Sequence, residues 1–192
     1  MPQIKVEHDP TNIKGLAVIT PTLHGDQRGY FMETYNANEM RNEGLDMTFV
    51  QDNQSCSSKG VLRGLHYQKC YPQGKLVRVI SGSVYDVAVD LRRNSPTYGQ
   101  YYGLVLDDKT NQQFYIPQGF AHGFLVLSDI AVFTYKVTDF WHPNDEGGLA
   151  WDDADIKVAW PLDELGGSKI LLSDKDKKNP TLNELEAQGF GF

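Results

Sequence analysis

The chain has 192 residues, 40% of them hydrophobic, enough for one domain whose core buries about 70% of the surface exposed by the unfolded chain. A formal charge of -7, from 25 acidic residues against 18 Lys plus Arg, argues against nucleic-acid binding but allows a small anion held by a few local cations. No apolar run approaches the roughly 18 residues of a membrane span, and the start "MPQIKVEHDP" lacks the basic-then-apolar order of a leader.

Cys56 and Cys70 are too few for a disulfide framework and lack the spacing of a metal motif. A cytoplasmic protein with reduced thiols is expected, folded as one domain over residues 1–192 with an N-terminal extension and a C-terminal helical tail.

In chain order, "NEMRNEGL" predicts a short helix capped at Asn38 and stopped near Gly44. "VLRGLHYQ" reads as a strand from Val61 to Gln68. "GKLVRVISGSVYDVAVDLR" follows, with runs Leu76 to Ile80 and Val84 to Leu91 around Ser81-Gly82-Ser83, a link expected for a hairpin. In the second run Tyr85, Val87, Val89 and Leu91 share one face, and Val84, Asp86, Ala88 and Asp90 the other.

"QQFYIPQGFAHGFLVL" predicts strand, Pro-Gln-Gly turn and strand, and "IAVFTYKVT" another strand. "NPTLNELEAQ" predicts a last helix with Asn179 at the N-cap and Pro180 at N1. Short Val/Ile/Tyr/Phe runs at close intervals between Gly, Pro, Asn and Asp indicate an all-β sandwich or barrel.

Period two would put Arg63 and His66 of "VLRGLHYQ" on opposite faces. Gly64 between them marks a bulge or a place where a ligand comes close, and a kink there would aim both side chains into one cavity. Taken alone, the octapeptide favours a solvated Arg63 and a hydrogen-bonded core His66. His122, beside Phe120 and Phe124, likewise reads alone as a satisfied core residue, with Asp86 available to accept its N–H.

The string P-x-G-x-x-H at Pro117 to His122 resembles the second motif of the cupin superfamily, β-barrels of jelly-roll type. Metal-binding cupins carry His-x-His and a later Glu in their first motif. "GLHYQKCYPQGK" has Gln68 in place of the second His and no Glu before Lys75, so a metal-free cupin-like jelly roll with short peripheral helices is expected.

With "GDQRGYFMETY", "FVQDNQSCSSKGVLRGLHYQ", "TYKVTDFWHPNDEGGLAWDD" and "LSDKD" added, the chain from about Gly15 to Asp176 resembles the dTDP-4-dehydrorhamnose 3,5-epimerase family. The resemblance implies a homodimeric isomerase without cofactor or metal. It would epimerise dTDP-4-dehydro-6-deoxy-D-glucose at C3 and C5 through an enolate, giving dTDP-4-dehydro-L-rhamnose.

The same resemblance implies residue roles. His66 matches the general base, Asp176 the carboxylate that orients it, Lys75 the cation near the C4 oxygen, and Tyr135 the acid delivering a proton to the opposite face. Arg28, Glu33, Gln51, Asp52, Asn53, Arg63, His122, Glu146 and Lys175 match positions that contact the nucleotide sugar, with Arg63 and Lys175 suited to the diphosphate.

Phe31 and Trp141 match positions where a ring packs on the nucleoside, Phe31 from the partner subunit. Trp141 stands where the family often has tyrosine, so stacking is retained but a phenolic hydrogen bond is not. Three alternatives remain: a single-centre epimerase of a related dTDP-4-keto-6-deoxysugar, a metal cupin such as a dioxygenase, and a non-catalytic nucleotide-sugar binding module.

Overall fold

The computed structural model describes residues 3–192. Its elements run β1 (Ile4–His8), β2 (Ala17–Pro21), β3 (His24–Asp26), β4 (Gly29–Phe31), α1 (Ala37–Asn42), β5 (Gln51–Ser58), β6 (Leu62–Gln68) and β7 (Lys75–Ser81). Then follow β8 (Ser83–Asp90), β9 (Tyr101–Asp107), β10 (Gln113–Ile116), β11 (Phe120–Val126), β12 (Ile130–Val137), β13 (Glu146–Gly148) and α2 (Leu182–Ala187).

Two antiparallel sheets face each other, one of six strands in the order β1-β2-β10-β7-β12-β5 and one of five in the order β13-β6-β11-β8-β9. This is the expected all-β, cupin-like jelly roll, with two short peripheral α-helices and three single-turn 3-10 helices among the described residues, the last of these over Asp176–Lys178. Val77, Val79, Phe114 and Phe133 of the first sheet meet Val84, Ala88, Phe124 and Val126 of the second in the central core. The pair β3–β4 forms a separate two-stranded hairpin. Among the described residues no helix is long and apolar enough to cross a membrane.

The strands expected as a hairpin around Ser81-Gly82-Ser83 do not pair. β7 pairs with β10 and β12, whereas β8 pairs with β11 and β9, so the link carries the chain from one sheet to the other. The reason is burial on both faces of β8: Val84 and Ala88 belong to the central core, while Val87 and Val89 pack outward under Leu149, Ile156 and Trp160. A strand covered on both faces belongs inside a sheet with neighbours on each side. Gly82 allows the crossing: its φ is 84°, and a Cβ there would lie 2.2 Å from the Ile130 carbonyl oxygen.

The Pro-Gln-Gly turn likewise links strands of different sheets, β10 and β11. Both helix caps shift from their expected positions. Asn36, not Asn38, caps α1, its side chain accepting from the Asn38 and Glu39 N–H groups. Thr181, not Asn179, caps α2, because only Thr181 has Glu184 at the third position for a reciprocal capping box.

Candidate active site

The kink expected at Gly64 is present. His66 pairs with His122 and Arg63 with Phe124, so a step of three residues on β6 faces a step of two on β11. One extra residue resets the alternation, and Arg63 and His66 line the same cavity. Gly64 has φ 110°, and a Cβ there would come within 2.6 Å of Gly123 Cα and of the His122 carbonyl oxygen.

The cavity has a volume of about 460 Å³ and lies between the two sheets, lined by Arg63, His66, Lys75, His122, Tyr135 and Asp176 among others. His66 Nε2 is 2.5 Å from Asp176 Oδ1. The other oxygen of Asp176 accepts from the Ser173 hydroxyl at 2.7 Å, and the Asp176 N–H donates to the same hydroxyl oxygen at 3.0 Å. Burial alone would raise the Asp176 pKa, but hydrogen bonds from His66 and Ser173 and the nearby positive charge hold it below the ordinary value.

Lys75 is buried, and desolvation pulls its pKa down to about 8 against the opposing pull of Asp86 and Glu146. Its Nζ lies 3.5 Å from the His66 carbonyl oxygen. Tyr135 faces the cavity from β12, its phenol pushed up mainly by burial, with Arg63 opposing. His122 Nε2 is 3.0 Å from both oxygens of the fully buried Asp86. Burial lowers its pKa, outweighing Asp86, so at neutral pH the ring donates Nε2–H to Asp86 and keeps Nδ1 as an acceptor. Arg63 Nε donates to Ser57 Oγ at 3.1 Å.

A second recess, of about 230 Å³, shares Tyr135 with the cavity and is lined by Gln51, Asn53, Trp141 and Glu146. The Trp141 indole N–H donates to Glu146 Oε1 at 2.9 Å, and the Lys175 ammonium donates to Oε2 of the same carboxylate. Burial would raise the Glu146 pKa, but those two donors hold it down. Gln51 donates to Asn53 Oδ1 at 2.8 Å.

Four of the residues matched in sequence lie elsewhere within the subunit. Asp52 pairs with Lys136 at 2.8 Å and lines a neighbouring recess with Arg78 and Thr134, one that shares Gln54 and Tyr135 with the cavity. Arg28 pairs with Asp26 at the tip of the β3–β4 hairpin, Phe31 is 67% exposed at its end, and Glu33 accepts from Asn36 Nδ2 at 3.2 Å. Sequence reasoning passed over Ser57 and Ser173, which hold Arg63 and Asp176; Ser173 stands in "LSDKD" itself, three residues before the aspartate it caps. Among the described residues no three His, Cys, Asp or Glu side chains gather as a metal-ligand set.

Residues 10–184 match the model of the family described as dTDP-4-dehydrorhamnose 3,5-epimerase. The chain belongs to the dTDP-4-dehydrorhamnose 3,5-epimerase family. A dTDP-4-dehydrorhamnose 3,5-epimerase of Methanothermobacter thermautotrophicus is 50% identical over 91% of this chain and 93% of its own length. A solved 3,5-epimerase of Legionella pneumophila, in complex with dTDP-4-keto-L-rhamnose, superposes with a TM-score of 0.90 at 46% identity, covering 96% of each chain. A more distant structure, a 3'-monoepimerase of Streptomyces bikiniensis in complex with dTDP-quinovose, has a TM-score of 0.86 at 33% identity, over 93% of this chain and 89% of that one. The 3,5-epimerase family match covers every strand of both sheets except β1, and every residue of the cavity.

Proposed function

We propose that the protein is a dTDP-4-dehydrorhamnose 3,5-epimerase, an isomerase that inverts C3 and C5 of dTDP-4-dehydro-6-deoxy-D-glucose. The observation that carries this reading is the placement of His66 on β6 of the five-stranded sheet and Tyr135 on β12 of the six-stranded sheet, both facing one cavity. Inversion next to a ketone requires a proton to leave one face of the ring and another to arrive on the opposite face.

In this reading His66 takes the proton from C3 or C5, and Asp176 orients the imidazole and stabilises its cationic form. The electron pair of the broken C–H bond forms a double bond to C4, and the carbonyl π pair moves onto the C4 oxygen, giving an enolate. The buried Lys75 cation then stabilises a charge that exists only after proton removal, so it favours the transition state over bound substrate. Tyr135, whose raised pKa keeps it protonated, gives its proton to the other face. His122 presents Nδ1 to a sugar hydroxyl.

Arg63 and Lys175 serve the diphosphate, and Trp141, with Gln51, Asn53 and Glu146, the nucleoside. Arg28 and Phe31 fit this scheme in a homodimer, where the exposed β3–β4 hairpin of one subunit reaches the nucleoside end of its partner's cavity. The free thiols Cys56 and Cys70 suit a cytoplasmic setting.

Incubation with the dTDP-4-keto sugar in heavy water should place deuterium at both C3 and C5. Deuterium at C3 alone would favour the single-centre reading, to which the likeness to the Streptomyces bikiniensis enzyme gives some support. No exchange at either carbon sinks the epimerase reading.

A further inference from the structure

Trp141 is 56% exposed and lies in a loop without regular secondary structure, between β12 and β13. Its indole N–H donates to Glu146 Oε1 at the start of β13, which fixes the edge of the ring but not the main chain that carries it. The main chain around it is held by two side-chain amides, of which Gln68 is buried. Gln68 Nε2 donates to the Phe140 carbonyl at 3.1 Å, and Gln68 Oε1 accepts from the His142 N–H at 2.7 Å. One side chain thus grips the residue before Trp141 and the residue after it, while Trp141 N–H itself donates to Gln51 Oε1 at 3.1 Å.

A third bond, from Gln68 Nε2 to the Tyr71 carbonyl at 2.7 Å, ties in the loop between β6 and β7. Gln68 is 4% exposed and follows His66 by two residues on β6, where a metal-binding cupin carries its second histidine. Its donors and acceptor are all committed to main-chain groups of the two loops.

We infer that Gln68 is a positioning residue that sets the Trp141 ring at a fixed distance from the reacting centre, so that the nucleoside meets a platform already in place. The inference rests on the reading of Trp141 as the nucleoside platform. Ordering the loop before binding removes part of the entropy cost that association would otherwise carry, and this contribution is the same for bound substrate and transition state. Losing it weakens binding and leaves the chemical step intact.

The test compares the full-length protein with Gln68→Glu, which cannot donate to either carbonyl, and with Gln68→Met, which keeps the length without polar atoms. Calorimetric titration with dTDP should give a Kd raised tenfold or more in both variants, with KM for the dTDP-4-keto sugar raised in parallel and kcat within about threefold of wild type. Folded variants with Kd within twofold of wild type, or a kcat that falls as far as affinity does, would overturn the assignment.

Amide hydrogen exchange on the ligand-free wild type provides a readout that needs no variant. The His142 N–H should be protected, and exchange at the rate of a free loop amide would also overturn the assignment. A wild-type protein that binds dTDP but exchanges neither C3 nor C5 would remove the epimerase reading and leave Gln68 to be decided by dTDP affinity.

Discussion

His66 and Asp176 stand 110 residues apart in sequence and 2.5 Å apart in space, joined where a short 3-10 helix after the barrel closes over β6. Asp176→Asn keeps the shape of that contact and removes the charge that favours a protonated imidazole. Turnover should fall about 10²–10⁴-fold with little change in dTDP affinity. Steady-state rates and calorimetry check this, and a loss under threefold would sink the dyad.

Acid titration offers a second view of Asp176. Its carboxyl is held below the ordinary 3.8, so the stability it contributes is fully present above that value and is lost as pH falls through the folded pKa. In urea melts between pH 5 and pH 2, Asp176→Asn should show a shallower loss of stability than wild type.

Lys75 loses its charge as pH rises through about 8, against 10.5 for an ordinary lysine. If a cation is needed at the enolate oxygen, kcat should decline above that pH, and Lys75→Met should lower it about 10²–10³-fold at pH 7. Stability should move the other way. The folded pKa lies below the unfolded one, so the cost of the buried cation is fully present below about 8 and is relieved between there and 10.5. Lys75→Met is therefore expected to gain up to ~3 kcal/mol at pH 7 in urea unfolding. Equal or lower stability would contradict this.

Tyr135→Phe separates the two halves of the inversion. His66 can still remove and return a proton on its own face, so deuterium should enter the substrate from heavy water. Net inversion should drop about 10²–10⁴-fold. Undiminished inversion would mean that the proton comes from another group.

Gly64→Ala tests the kink itself. The new methyl would meet Gly123 and the His122 carbonyl oxygen at 2.6 Å, at a φ of 110° that side chains rarely adopt. A loss of about 2–4 kcal/mol in urea unfolding is expected, together with weaker dTDP binding as Arg63 and His66 cease to share a cavity.

Much of the fold was legible because its signals are local. Alternation assigned the two faces of β8 correctly, down to Asp86 lying inward where it meets His122, and the glycines at 64 and 82 marked real departures from regular strand. The caps were displaced to Asn36 and Thr181, since a cap depends on which nearby oxygen reaches a free N–H, and several neighbours compete for that place.

Local pattern did not decide which sheet a strand joins. The Ser81-Gly82-Ser83 link has the composition of a hairpin turn, yet it spans the barrel, because β7 and β8 find their covering layers only in the assembled core. Composition and strand periodicity determined the all-β class, and the motifs of a known family pointed to the side chains proposed to react. The tertiary structure alone decided that Arg63 and His66 share a cavity, that Tyr135 faces His66 from the opposite sheet, and that Arg28 and Phe31 lie outside that cavity in a single subunit. The physical reason is that periodicity reports only how a side chain points relative to its own strand, whereas a site depends on which strands pack face to face.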